Sequence, residues 1–299
     1  MLIGIDLGGH TITAAIFDAE SGVVTGRQEA PTPRTREPEA VLGALAQLVE
    51  RVTAGRATTG VGIGVPGMID AARERVLVSP NFPLWKNFPL KRKAEEILGL
   101  SVAVENDANC YALGEGVSGA AKGMTDYVVF TLGTGIGGGV VCGGNLLRGF
   151  HGMAGEPGHA AVGGELPCGC GAKGHAETLF GADAIEKIFL KETGIKDTAK
   201  NLYALRSECL AGRRIWDEAF DALGRTIATV IHLFDPQAVI LGGGLSNIPD
   251  LVDELNLFVL RYLASPWHDL LDIRISALGP DAPLIGAAMI VSKRANGKP

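Results

Sequence analysis

The sequence predicts an α/β protein of two similar lobes with a cleft between them. Three observations carry the prediction. Apolar runs at strand spacing and at helix spacing alternate along the chain, as in layered sheets and helices. Each half opens on a strand that stops at a glycine turn and is followed by a second strand: Asp6-Leu7-Gly8-Gly9 in the first half, Gly133-Thr134-Gly135-Ile136-Gly137 in the second. The 299 residues suffice for two domains of about 100–200 residues each. The expected boundaries put a first lobe at 1–112, completed by a C-terminal helix over 283–299, and a second lobe at 113–282.

The elements follow in order. Residues 2–5 are apolar and stop at Asp6. Residues 11–17 then alternate, with Ile12, Ala14 and Ile16 on one face, so the two runs make a hairpin that a third strand near 22–30 extends. Val41, Leu42, Leu45, Leu48, Val49 and Val52 recur at helical spacing over 37–54. Residues 60–65 read as a buried strand ending in Pro66-Gly67, residues 90–98 as a helix stopped by Gly99, and residues 101–104 as the next strand, with a helix starting near Asp107. In the second half a strand over 126–132 enters the glycine run 133–139. A strand and a Gly143-Gly144 turn come next. A long helix over 215–234 carries Leu223, Ile227, Val230, Ile231 and Phe234 on one stripe. A strand over 238–241 leads into Gly242-Gly243-Gly244, read as a strand-to-helix junction. A strand near 272–278 and a helix near 283–295 close the pattern.

Composition excludes several classes. The formal net charge is −6 and no Lys/Arg-rich block stands out, so the footprint of a nucleic-acid-binding protein is missing; the short basic tail 293–298 reads as a solvated end. The first residues lack the basic and apolar regions of a signal peptide, and the apolar runs are far shorter than the ~20 residues of a membrane helix, so a cytoplasmic protein is expected. Five cysteines, an odd number, argue against a disulfide framework; Cys110, Cys142 and Cys209 stand alone in apolar contexts and are expected in the core.

Two kinds of motif carry chemistry. The first is the glycine turn at a strand end, where backbone N–H groups can approach a phosphate and a neighbouring carboxylate can hold a magnesium ion through water. Asp6, Gly8 and Gly9 form one such turn, Thr134 and Gly135 a second, Gly243 and Gly244 a third. One alone is equally a plain hairpin turn; three together are harder to read that way. None is followed by Gly-Lys-Ser/Thr, so none is a P-loop. The second motif is His159-x8-Cys168-x-Cys170-x4-His175, four nitrogen or sulfur ligands within 17 residues, separated mostly by small, polar or glycine residues. Such a segment is a poor core and a good wrap for tetrahedral zinc.

Asp6-Leu7-Gly8-Gly9, Gly64-Val65-Pro66-Gly67, Glu105-Asn106-Asp107-Ala108-Asn109 and Leu132-Gly133-Thr134-Gly135-Ile136-Gly137-Gly138-Gly139, in this order and spacing, resemble the ROK family of bacterial sugar kinases and repressors. The resemblance runs from about residue 4 to residue 288. It implies the two-lobed actin-like ATPase (ribonuclease H-like) fold, with ATP and Mg²⁺ in the cleft and a sugar at its floor. It further implies a homodimer or homotetramer, with no nucleic-acid or membrane partner for the kinase form. Repressors of the family carry a helix-turn-helix ahead of the first glycine turn. Here Asp6 follows the first residue almost at once, and a kinase is expected.

Phosphoryl transfer needs positioning, charge neutralisation and a base for the hydroxyl proton. From the pattern alone Asp107 is either that base or a helix cap; the resemblance assigns it the base's role. The resemblance also implies that Asn81, Asn106, Asp107, Glu156, His159 and Glu177 bind the sugar. It implies, too, that a structural Zn²⁺ on His159, Cys168, Cys170 and His175 fixes the sugar-binding loop. Without the resemblance, Asn81 reads equally as a turn residue and Glu156 and Glu177 as solvated charges. Two positions depart from the family pattern: His10 stands where a threonine usually follows the first glycine pair, and His175 where a third cysteine usually ligates zinc. The His10 departure bears on ATP affinity and keeps a non-catalytic sugar sensor as an alternative, against which Asp107 argues. The loop Pro80-Asn81-Phe82-Pro83-Leu84-Trp85 resembles the glucokinase form, so the expected reaction is ATP-dependent phosphorylation of the 6-hydroxyl of glucose. N-acetylglucosamine is the nearest alternative, and N-acetylmannosamine and fructose stay open.

Overall fold

The computed structural model describes residues 1–19 and 21–295, with side chains as far as residue 292. The helix expected to reach 299 is described only to 295; its remainder, and the side chains of the basic tail 293–298, lie outside the described residues.

The chain divides into two compact units. The first comprises residues 1–123, 146–154 and the chain from 277 onward. It contains β1 (Leu2–Leu7), β2 (Thr11–Asp18), β3 (Val23–Pro31), α1 (Pro38–Thr53), β4 (Gly60–Val65), a small β5–β6 hairpin (Met68–Ile69 and Val76–Val78), α2 (Leu90–Leu98), β7 (Val102–Asn106) and α3 (Asp107–Ser118). The second, residues 124–145 and 155–276, contains β8 (Tyr127–Leu132), β9 (Ile136–Cys142), β10 (Asn145–Leu146, its last residue already counted with the first unit), α4 (Glu177–Phe180), α5 (Ala182–Thr193), α6 (Ala199–Leu202), α7 (Leu205–Glu208), α8 (Leu210–Phe234), β11 (Ala238–Gly242), α9 (Leu251–Val259) and β12 (Ile273–Ile275). The last helix, α10 (Ala282–Ala295), returns to the first unit.

Each unit is built on a five-stranded sheet, ordered β3-β2-β1-β4-β7 in one and β10-β9-β8-β11-β12 in the other. In chain order both read third, second, first, fourth, fifth. The first two strands are antiparallel in each, and the fourth and fifth run parallel to the first. This repeated order is the architecture of the actin-like ATPase fold.

The division differs from the boundary expected at 112/113. Helix α3 continues to Ser118, and the buried Glu115 on it accepts the backbone N–H of Ala120 at 2.7 Å, so the chain stays in the first unit to Gly123. Glu115 also accepts the N–H groups of Ala277 at 3.3 Å and Leu278 at 3.1 Å, where the chain rejoins that unit. The segment 146–154 belongs to the first unit through long-range contacts that local patterning does not record.

Several elements depart from expectation. Helix α8 begins at Leu210 rather than 215, because Cys209 Sγ accepts the N–H of Gly212 at 3.2 Å and caps it. Cys209 is accordingly exposed and Cys142 half-buried, whereas Cys110 is buried as expected. The strand near 272–278 shortens to β12, and the Gly242-Gly243-Gly244 turn leads into a single 3-10 turn, Gly244–Asn247. The β5–β6 hairpin, α4 to α7 and α9 were not read from the sequence; most are too short for a periodic signal.

Not all glycines serve turns. Gly4 on β1 and Gly62 on β4 are register partners, and α10 lies directly over them. A Cβ at Gly62 would overlap the carbonyl oxygen of Ala287, and one at Gly4 that of Leu284. Both obstacles are backbone and cannot rotate aside. Gly62→Ala is therefore expected to cost at least about 3 kcal/mol, the upper part of the overpacking range, read as a lower denaturant midpoint in equilibrium unfolding.

Candidate active site and metal centre

The predicted residues fall into two groups, one in each unit. In the first unit, three parallel strands bring Asp6, Gly64 and Glu105 to the same level, since Asp6 pairs with Gly64 and Gly64 with Glu105. Just beyond β1, the Gly8-Gly9 turn packs against Asn81: a Cβ on Gly9 would lie 2.6 Å from Asn81 Nδ2. Asn81 itself is exposed, and its loop is pinned by the fully buried rings of Phe82 and Trp85, stacked 4.5 Å apart. Thr32, at the start of the chain beyond β3 and buried, ties the turn from behind. Its hydroxyl donates to the Gly8 carbonyl at 2.8 Å and its N–H to the His10 carbonyl at 2.9 Å. His10 is exposed, and so is Thr11. No local sequence signal marks Thr32, because its partners are more than twenty residues away.

Beyond β7, Asn106 is the cap of α3 and Asp107 its first residue, so the capping role open to Asp107 falls to its neighbour. Asn106 Oδ1 accepts the Asn109 N–H at 3.0 Å and its Nδ2 donates to the Gly67 carbonyl at 3.1 Å, leaving one amide hydrogen for a ligand. Asp107 Oδ1 accepts the Ala108 N–H at 2.9 Å. Burial raises the Asp107 carboxyl above the ordinary carboxylate range, against the opposing pull of that N–H. Asp6 is pushed up to about 7, first by burial and then by the charge of Asp107, while Arg27 draws it down. Two carboxylates that each resist ionisation suit a site that receives a cation.

In the second unit the two remaining glycine turns lie at the same end of neighbouring parallel strands. A Cβ on Gly243, which has φ +86°, would lie 2.5 Å from the carbonyl oxygen of Leu132, the residue that precedes the Gly133-Thr134-Gly135 turn. That turn is fastened to the start of α5, where Ala182 N donates to the Gly133 carbonyl at 2.9 Å. Gly244 has open space where a side chain would stand. Glu177 lies beside the turn, its Oε2 occupying the place 2.6 Å from where a Gly135 Cβ would be.

Glu177 also adjoins the metal motif, with Oε1 2.8 Å from Cys168 Sγ. His159, Cys168, Cys170 and His175 offer ligand atoms that all lie within 4.8 Å of one another. His159 Nδ1 and His175 Nδ1 are 3.2 Å apart, Cys168 Sγ is 3.7 Å from His159 Nδ1, and Cys170 Sγ is 3.4 Å from His175 Nδ1. Tetrahedral zinc with its usual bond lengths requires edges of about 3.3 Å between nitrogens and about 3.6 Å between nitrogen and sulfur. The donor set therefore fits zinc, with His175 taking the place of a thiolate. His159 meets the cluster through Nδ1, which leaves Nε2 for another partner. It sits in the 3-10 turn Pro157–His159, packed on β9 and preceded by the half-buried Glu156.

The model of the ROK family matches residues 2–294. The chain belongs to the ROK family. Among relatives, it is 37% identical to a glucokinase of Thermotoga maritima, over 99% of this chain and 98% of that protein. Among solved ROK structures, it superposes with a TM-score of 0.87 on a ROK hexokinase from Thermus thermophilus, at 35% identity and 99% coverage of both chains. It superposes with a TM-score of 0.84 on a ROK family glucokinase from Streptomyces griseus in complex with glucose and AMPPNP, at 34% identity, covering 97% of this chain and 98% of that one. Among the described residues no helix is long and apolar enough to cross a membrane.

Proposed function

We propose that this protein is an ATP-dependent hexokinase that phosphorylates the 6-hydroxyl of a hexose, with glucose as the preferred substrate. The observation that carries the reading is Asp107. It opens a helix at the C-terminal end of a parallel strand, its carboxylate is oriented by a backbone N–H, and it shares its electrostatic environment with Asp6. The ROK glucokinase with glucose and AMPPNP supports the choice of nucleotide and sugar.

In this mechanism Asp107 accepts the proton of the sugar hydroxyl as that oxygen attacks the terminal phosphate. A raised carboxyl is a stronger base than a solvated one. The backbone amides of Gly8, Gly9, Thr134, Gly135, Gly243 and Gly244, with the Thr134 hydroxyl, hold phosphate oxygens. Mg²⁺ bound with the nucleotide would neutralise phosphate charge, and Asp6 would hold it. Asn81, the remaining amide hydrogen of Asn106, Glu156, His159 Nε2 and Glu177 satisfy sugar hydroxyls, and each lost partner would leave a hydroxyl of the bound sugar unpaired. Zinc on His159, Cys168, Cys170 and His175 would supply rigidity to the loop carrying Glu156 and His159.

A coupled ADP-release assay across glucose, N-acetylglucosamine, N-acetylmannosamine, mannose and fructose tests the reading. The highest kcat/KM is expected with glucose; no turnover with any of the five would overturn it. Metal analysis of protein never exposed to chelator is expected to give about one zinc per chain. His175→Ala should lose that zinc and lower the Tm; a metal-free wild type would remove the site.

A further inference from the structure

Immediately behind Asp107 lies a buried charge cluster that the reaction itself does not use. Glu105 is 1% exposed and makes four contacts. Its Oε1 accepts the backbone N–H of Asn106 at 3.0 Å and Asn109 Nδ2 at 3.1 Å. Its Oε2 accepts Arg148 Nε at 2.7 Å and stands 3.3 Å from Arg73 Nε. The first pair of contacts brackets Asp107, one residue before it and two after. The second pair ties the carboxylate to two distant stretches of chain. Arg73, in the loop joining β5 to β6, has a left-handed backbone with φ 61° and a side chain 7% exposed. Its Nη1 donates to the Gly152 carbonyl at 3.1 Å. Arg148 and Gly152 both lie in the segment 146–154, so that segment is fastened to Glu105 directly through Arg148 and indirectly through Arg73.

We propose that Glu105, Arg73 and Arg148 are positioning residues that hold the Asn106–Asp107 backbone in register for phosphoryl transfer, with the segment 148–152 as part of the support. The proposal rests on the reading of Asp107 as the base. The Asp107 carboxylate is held by the backbone N–H of Ala108, so it points where the backbone points. Glu105 holds the backbone N–H just before Asp107, at Asn106, and the Asn109 side chain two residues after it. A buried charge cluster adds little stability over apolar packing of the same volume, because desolvation offsets the Coulomb attraction. What three hydrogen bonds and one close ion pair to one carboxylate supply is fixed geometry, to which phosphoryl transfer is acutely sensitive.

Arg148 is the place to test this, since its side chain is 40% exposed and its loss leaves no sealed cavity. Arg148→Met, Arg148→Lys and Glu105→Gln would be compared with wild type by steady-state kinetics, thermal melting and hydrogen exchange of the peptide covering 105–110. In folded Arg148→Met, kcat is expected to fall about tenfold with both KM values within about threefold, and exchange over 105–110 to rise. Arg148→Lys should recover part of both, because it restores the charge with a single donor in place of the fork. Glu105→Gln, which releases both arginines, should lower kcat further. A folded Arg148→Met with wild-type kcat and unchanged exchange would overturn the proposal. So would a loss shared between kcat and KM that lysine does not rescue, which is what a merely structural role gives. If the wild type turns over no sugar, the kinase reading fails, and the exchange comparison still decides whether Arg148 holds this turn.

Discussion

Asp107→Asn is expected to lower kcat with glucose about a thousandfold, within the range for removing a general base, while glucose binding changes less than about threefold. Asparagine is nearly isosteric and its Oδ1 can still accept the Ala108 N–H, so α3 keeps its first turn. What is lost is the site that takes the hydroxyl proton. The pH dependence gives a second check. Burial raises the Asp107 carboxyl, so the wild-type kcat should fall as pH drops through that raised value, because only the ionised form is a base. The residual activity of Asp107→Asn should lack this acid limb. A variant with unchanged turnover, or one that retains the limb, would remove Asp107 from the mechanism. Isothermal titration with glucose separates a lost base from a lost sugar site.

Asp6→Asn should produce the opposite combination, a more stable protein that barely turns over. The Asp6 carboxyl titrates near 7 in the folded chain, from an ordinary value of 3.8, first because of burial and then because of Asp107. The folded state therefore binds this proton more tightly than the unfolded state, and stability falls as pH rises from about 4 to about 7. Above that window the full cost is present, roughly 4 kcal/mol at about 1.4 kcal/mol per pH unit. Asparagine carries no such cost. Without nucleotide, Asp6→Asn should melt several degrees above wild type at pH 8, and the difference should shrink as pH approaches 4. Mg²⁺ and ATP should raise the wild-type Tm and close the gap, since a ligand bound only by the native state stabilises it. Turnover of the variant should fall at least about a hundredfold with the loss of an electrostatic contact to the phosphates' cation. Equal melting temperatures at pH 8 would show that Asp6 is not held in a cost-bearing environment.

The parts of the fold that were legible share one property: their signal is local. The hairpin of β1 and β2 announces itself by alternation and a Gly-Gly turn, and α1 by six apolar residues at helical spacing, all of them buried in the structure. The four ligands of the metal motif lie within 17 residues, so their spacing could be read directly. The rest required contacts between distant residues. Thr32 reaches Gly8 across 24 positions, and Arg148 reaches Glu105 across 43. Glu105 was visible as part of the Glu-Asn-Asp motif, but an acidic residue ending a strand gives no sign that two arginines will neutralise it. Helices α4, α6 and α7 have four residues each, too few for a period to emerge.

By itself the sequence determined the α/β class, the repeated strand–glycine–strand opening of each half, and the residue types at every strand end where chemistry is proposed. Those features depend on backbone propensity and side-chain periodicity, which a few neighbouring residues set. Only the tertiary structure decided which glycines serve turns and which, like Gly4 and Gly62, let a helix backbone lie on a sheet. It alone gave the capping of α3 to Asn106 and left Asp107 as the first helical residue, and placed Arg73 and Arg148 on Glu105. The reason is physical: burial, close backbone approach and charge pairing come from groups far apart in the chain, and they acquire their energies only when folding brings those groups within a few ångströms of one another.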